Sequence, residues 1–339
     1  MTAPLYKIRA QSRYGFINRQ GEVVIEPQYL EAEDFYHGFS RVRFNEKLVP
    51  MDAMGRLLLK HLFNFVGFFE QGLARAQLVN RWGYIDTRGN LVVDIQFEDA
   101  GDFGDGLAPV RRNNRYGFIR PDGTWKIRPQ FEAAGEFASG LAPVQLVEKW
   151  GYIDEDGEMA IAPQFDSGRS FQGDVAVVQQ GNYWGLINSE GELLVEPQFE
   201  LQDGYSNGEF FDGMAIIVQD GLYGFIDDEG NLAIPPAFGF AGDFGEGLAP
   251  VEQHGRFGFI DKSGNICIPP RFEDAGLLAN GLAPVKANGH WGFIGPTGEW
   301  LIPPKYDSAL PFHDGLALVG HQGAWRYVDT VGQVVWEEK

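Results

Sequence analysis

The sequence predicts an all-β protein: ten tandem 34-residue, three-stranded antiparallel units, stacked as an open superhelical or solenoid array. A closed propeller-like ring is the alternative. Three observations lead there. A 34-residue period runs through the chain, glycine (45 residues) is abundant together with aromatics (14%), and no window sustains a helical repeat of apolar residues. Glycine stands at about twice its usual share of roughly 7%, which suits many tight turns between short strands.

The glycine that follows an aromatic is the ruler. Gly15, Gly83, Gly117, Gly151, Gly185, Gly224, Gly258 and Gly292 are spaced by 34, except for a double gap of 68 after Gly15 and one interval of 39 after Gly185. The double gap holds "KLVPMDAMGRLLL", where Asp52 and Gly55 stand 34 before Asp86 and Gly89, and Leu48-Val49 replaces the aromatic-glycine pair. At the far end "WRYVDTVGQVV" keeps the pattern with Arg326 in the glycine's place. A single array over 1–339 results, with units near 3–37, 38–71, 72–105, 106–139, 140–172, 173–212, 213–246, 247–280, 281–314 and 315–339.

One unit reads "GLAPVRRNNRYGFIRPDGTWKIRPQFEAAGEFASG". Its strands are expected at Leu107–Arg111, Tyr116–Arg120 and Thr124–Ile127. Asn113-Asn114 suits the first bend, and Pro121-Asp122-Gly123 the second, with Gly supplying positive φ. Pro129 is expected to end the third strand because it cannot donate to a ladder. Trp82 and Tyr84 share one side of their strand, Gly83 and Ile85 the other. Leu91-Val92-Val93 is apolar on both sides, so each small sheet is expected to be covered on both faces by its neighbours. The connector adds Phe97, Ala100 and Phe103 as plugs, repeated at Phe131, Ala134 and Phe137.

The recurrent "WGYIDTRGN…QFEDAGDF…GLAPV" resembles the bacterial WG (KWG) repeat family over essentially the whole chain. The resemblance implies a β-rich repeat protein and brings no uniform activity or catalytic set with it. Departures stand at Leu48-Val49, at Ile95 where proline is usual, and at Arg326.

Composition narrows the function classes. With 27 Lys+Arg against 47 Asp+Glu the net charge is −20, which disfavours phosphate backbones and anionic membranes. A basic protein partner is compatible with it. A lone Cys267 excludes an internal disulfide and a cysteine-rich zinc site, and its strand position suggests a small core residue. "MTAPLYKIRA" lacks an apolar stretch of signal-peptide length, so a cytoplasmic protein is expected, signal-less export aside.

No catalytic constellation emerges. Asp86, Asp154, Asp227, Asp261 and Asp329 recur at the second hairpin and alternate with Asn18 and Asn188, as turn formers do. Glu98, Glu132, Asp166, Glu200, Glu273 and Asp307 follow the connector aromatic. They form an acidic row that can face a partner, or bind local backbone donors. Equivalent carboxylates lack the asymmetry that acid–base pairs require. The six histidines share no register, and neither a metal nor a cofactor site is expected.

The aromatic-glycine pairs (Trp82-Gly83, Tyr116-Gly117, Trp150-Gly151, Trp184-Gly185, Trp291-Gly292) read as packing, although periodic aromatics can also stack on sugars. The interval from Phe199 to Gly213 is five residues longer than its counterpart from Phe97 to Gly106. Insertions between repeats mark loops that often bind, and Tyr205 and Phe211 are the candidate anchors there. "HLFNFVGFFE" can be a capping adaptation or an apolar patch. The expectation is a non-enzymatic scaffold for protein–protein binding. Its alternatives are an acidic immunity or antitoxin-type protein that neutralises a toxin domain, and a carbohydrate-binding module using the periodic Trp and Tyr.

Overall fold

A computed structural model describes residues 4–58, 63–200 and 208–338. Every regular element among them is a β-strand, and the strands form ten antiparallel sheets in tandem. The chain divides into two compact bodies. One comprises Met1–Asn18, Val23–Gly181 and Leu186–Leu193, the other Arg19–Glu22, Asn182–Gly185 and Leu194–Lys339.

A single repeat shows the construction. Its three strands are Ala108–Arg112, Arg115–Ile119 and Trp125–Phe131. Asn113 and Asn114 both carry positive φ (53° and 60°), the signature of a two-residue type I′ hairpin turn. Gly123, at φ 81°, turns the chain into the third strand. A short fourth strand comes from the preceding connector: Asp99 pairs with Arg111 and Ala100 with Val110. Most sheets therefore have four strands, not three, because the connector lies against the first strand and satisfies its outer backbone groups.

The third strand corrects a second expectation. Pro129 does not end it, and the strand continues to Phe131. Tyr116 opposes Phe131 and Phe118 opposes Ile127, so a two-residue advance on one strand meets a four-residue advance on the other. The surplus residues bulge across the second strand, and a proline in a bulge forfeits no ladder bond.

Gly117 lies under this bulge, where a Cβ would sit 2.5 Å from the Ile127 carbonyl oxygen and 2.7 Å from the Pro129 nitrogen. All eight glycines of the ruler are pinned in this way, with the nearest backbone atom 2.3–2.6 Å from the missing Cβ. In the second repeat Val49 stands in the glycine's place, but the segment that would cross it lies outside the described residues. One departure acts as an internal control. In the last repeat Arg326 pairs with Glu337 and Tyr327 with Trp336, without the bulge at that step.

The second strand sends alternate residues into two neighbouring cores. Tyr84 packs with Val93, Phe97, Phe103, Val110 and Ile119, whereas Ile85 packs with Phe63, Val66, Phe69 and Ala76. Each core is thus built between consecutive sheets, and no repeat can bury its apolar faces alone. The third strand is an edge and is covered less: Val92 is 43% exposed. Cys267 is likewise exposed, not a core residue, because Ile268 takes the inward position. Within the second body, the Arg19–Glu22 turn meets the last repeat, with the Val335 carbonyl 2.0 Å from a Cβ placed on Gly21.

Polar staples join successive repeats. Gly106 N–H donates to Gln71 (3.0 Å), Gly140 to Asp105 (2.9 Å), Gly247 to Asp212 (2.7 Å), Gly281 to Glu246 (2.8 Å) and Gly315 to Asn280 (2.7 Å).

Two glycine substitutions separate the causes. Gly117→Ala meets rigid backbone and is expected to lower unfolding free energy by about 3 kcal/mol. Gly140→Ala has φ 77° and open space around its Cβ, so about 1 kcal/mol is expected from the left-handed conformation alone. Urea titration of both variants checks the order.

Candidate functional site

Most of the chain's recurrent polar side chains are committed to its own backbone. Asp86 accepts N–H bonds from Arg88 (2.9 Å) and Asn90 (2.8 Å), and a third bond from the Asn90 side-chain amide (2.7 Å). Asp154, Asp227, Asp261 and Asp329 make the same pair of backbone contacts, and so does Asn188. Burial raises the Asp86 pKa, but the Asn90 side chain and the two backbone donors outweigh it and bring it down to about 2.

The acidic row caps the following repeat's first hairpin. Glu98 accepts from Asn113 and Asn114 (3.1 and 2.8 Å), Glu132 from Glu148 (3.0 Å), and Asp166 from Gly181 (2.7 Å). Glu273 caps Gly289 (3.1 Å) and Asp307 caps Gln322 (2.8 Å). The turns have positive φ even at Val147 (50°), an unfavourable conformation for a β-branched residue. A cap that fixes the adjacent N–H therefore offsets local strain. Backbone bonds hold the Glu98 and Glu132 carboxyls below their ordinary range, and the Lys149 ammonium followed by the Gly181 N–H does so for Asp166.

Three members of the row also form ion pairs with the residue that precedes the spine aromatic. These are Arg81–Glu98 (3.6 Å), Arg115–Glu132 (3.2 Å) and Lys149–Asp166 (2.5 Å). Glu200 differs. No hydrogen bond or ion pair engages its carboxylate among the described residues, and the position 17 residues before it is Tyr183, not a cation. Tyr183, Pro197, Gln198, Glu200, Gln219 and Asp220 line a cleft of about 350 Å³. Tyr183 is 48% exposed, and Gln219 and Asp220 are exposed on the neighbouring hairpin.

The aromatic spine is packed. Trp184 is 1% exposed and lies 5.3 Å from the Phe199 ring, while Trp82 meets Phe65 edge-on at 5.6 Å. Tyr116, Trp150 and Trp291 flank the cores of their own repeats. Of the insertion's anchors, Tyr205 lies outside the described residues, whereas Phe211 is exposed on a two-residue strand that opposes Met214. "HLFNFVGFFE" begins outside the described residues, and its Phe63, Val66 and Phe69 are buried.

A second departure was not singled out in the sequence. Where four repeats carry the proline of G-L-A-P-V (Pro109, Pro143, Pro250 and Pro284), and three others an aliphatic residue, Arg41 and Arg75 stand instead. Arg41 donates to Glu33 and to the Val66 carbonyl (3.0 Å), beneath the Phe65 and Phe68 rings. Arg75 donates to the Ala100 carbonyl (3.0 Å) and faces Asp102 at 3.2 Å. Burial raises the Asp102 pKa, with Arg75 opposing it. These arginines bridge to the connector strand of the next sheet and are structural. Their signal was a charged residue in a proline register.

Among the described residues no group of three or more His, Cys, Asp or Glu converges as a metal site. No helix long and apolar enough to cross a membrane occurs among the described residues. Charge is unevenly distributed: residues 1–169 hold 20 Lys/Arg and 23 Asp/Glu, residues 170–339 hold 7 and 24. Between Arg169 and Arg256 there are 15 Asp/Glu and no Lys or Arg.

The repeat motif, its pinned glycines and its tandem sheets define a β-repeat protein. The WG-containing-repeat model matches nine segments, 14–47, 51–80, 82–116, 116–150, 150–184, 184–223, 223–256, 257–290 and 291–323, and the chain belongs to that family. Comparison with curated proteins gives no match. A crystal structure of a eukaryotic initiation factor is similar in fold, with TM-score 0.53 at 11% identity over 99% of this chain and 96% of that one. Looser likenesses are to dihydro-heme d1 dehydrogenase NirN (TM-score 0.37, 12% identity, 86% and 70% covered) and to PorZ of Porphyromonas gingivalis (0.32, 10%, 93% and 55%).

The turn carboxylates give a pH prediction. Asp86 has a folded pKa (about 2) below its ordinary value of 3.8, so its contribution is complete above that ordinary value. It is lost as pH falls from about 4 through 2. Asp86→Asn keeps an acceptor for both N–H groups, as Asn188 does. Denaturation at pH 7 is expected to change by less than about 1 kcal/mol, while the fall in stability between pH 4 and 2 becomes shallower.

Proposed function

We propose that the chain is a non-enzymatic, cytoplasmic scaffold whose Lys- and Arg-free stretch, residues 170–255 of the sequence, recruits a basic protein partner. The observation that supports this most is the charge pattern: 86 consecutive residues carry carboxylates without a single Lys or Arg. A field of one sign steers an oppositely charged partner and rejects others. The same stretch contains the irregular repeat and the uncommitted Glu200. Neutralisation of a basic toxin domain, an immunity-type role, is the specific form that this chemistry favours. The glycan reading loses support because the spine aromatics pack against their own repeats.

The test is reversal of charge. Affinity capture from the native cell at low salt is expected to recover one stoichiometric partner of basic pI, released as salt rises. Glu190→Lys with Asp228→Lys is expected to abolish capture, whereas Glu155→Lys with Glu158→Lys, exposed turn positions outside the stretch, leaves it intact. Loss by both pairs, or by neither, sinks the reading.

A further inference from the structure

We propose that the cleft of Tyr183, Gln198, Glu200, Gln219 and Asp220 is an arginine-recognition site, which takes one guanidinium from a partner polypeptide. The inference deepens the scaffold reading and rests on it for the source of the arginine, though not for the chemistry of the cleft.

The repeat supplies its own comparison. Seventeen residues separate Arg81 from Glu98, Arg115 from Glu132 and Lys149 from Asp166, and each pair is bridged within 4 Å. The same types recur at Arg256 and Glu273. Where Leu222 removes the cation, Gly239 removes the acid as well. At His290 and Asp307 an imidazole takes the cation's place, but Asp307 still caps the Gln322 N–H (2.8 Å), whereas at Tyr183 and Glu200 the carboxylate remains without that duty as well. Its relatives also cap the next hairpin turn, which Glu200 does not do at Asp220-Gly221 among the described residues. A carboxylate relieved of both internal duties is available to a ligand.

The surroundings select the cation. An aromatic face attracts a planar guanidinium by stacking and cation–π interaction. Carboxylates accept its N–H donors in pairs, and the Gln198 and Gln219 side-chain carbonyls add acceptors. No Lys or Arg between 170 and 255 competes for the place. The cleft, about 350 Å³, lies at the low end of the range of about 300–1,000 Å³ for small-ligand pockets, which suits one side chain.

The experiment titrates acetyl-Gly-Arg-Gly-amide into the ¹⁵N-labelled full chain and follows backbone amide shifts. Saturable shifts at Tyr183, Gln198, Glu200 and Gln219 to Gly221 are expected, with the lysine analogue several-fold weaker. Glu200→Gln is expected to weaken binding about tenfold. Tyr183→Arg restores the residue type this register holds at Arg115. It is expected to fold with an unchanged or higher Tm and to abolish binding. Shifts scattered over the acidic surface, or binding unchanged in both variants, overturn the site. A captured partner held equally well by Tyr183→Arg overturns the cleft and leaves the scaffold reading standing. Saturable peptide binding at the cleft with no partner captured upholds the cleft and overturns the scaffold reading.

Discussion

Between the carbonyl of Ile127 and the nitrogen of Pro129 there is no room for a side chain on Gly117, and the rest of the repeat is arranged around that contact. The bulged third strand crosses the glycine and then runs on to place Phe131 opposite Tyr116. Without the crossing, the connector would leave at another angle, and Phe137 would not reach Phe118 in the next core. The aromatic before the glycine and the proline after the bulge are consequences of one steric fact. Arg326 shows this from the other side, since it brings a Cβ and its sheet has no register shift at that step.

Cohesion between repeats has two components of different kind. Apolar cores such as Leu107, Phe118, Ile127, Phe131 and Ile153 join consecutive sheets, and burial of each large side chain is worth about 1.5–3 kcal/mol. The staples, such as Gly140 N–H to Asp105, are exposed and individually modest. They fix the tight turns that begin each first strand. The cores hold the stack together, and the staples set how one repeat meets the next.

The period, the strand content and the turn chemistry were legible in the sequence because local rules govern them. Asn113-Asn114 and Pro121-Asp122-Gly123 announce turns through their own conformational preferences. The bulge was not legible. Pro129 is a strand terminator by local rule, and only the glycine on a different strand converts it into part of a crossing. The short connector strand, with just Asp99 and Ala100 paired, is too brief to leave a periodic signal. Cys267 and Val92 were placed inward because an apolar run does not reveal which member faces out. The acidic row was visible as a row, but its purpose depends on N–H groups about 16 residues away.

A repeat whose polar groups satisfy one another has nothing left to offer a ligand, which is why departures carry the functional argument. Arg41 and Arg75 depart from the proline register, yet each is consumed by a carbonyl of the next sheet. Leu222 with Gly239 removes a charge pair cleanly. Glu200 is the unbalanced case, a carboxylate whose repeat has surrendered the matching cation, in a stretch without another to replace it. Burial of an uncompensated charge would be costly, but the cleft leaves this one open to solvent and to whatever cation arrives. On the arginine-site proposal, the charge balance of the repeat is completed there from outside the chain.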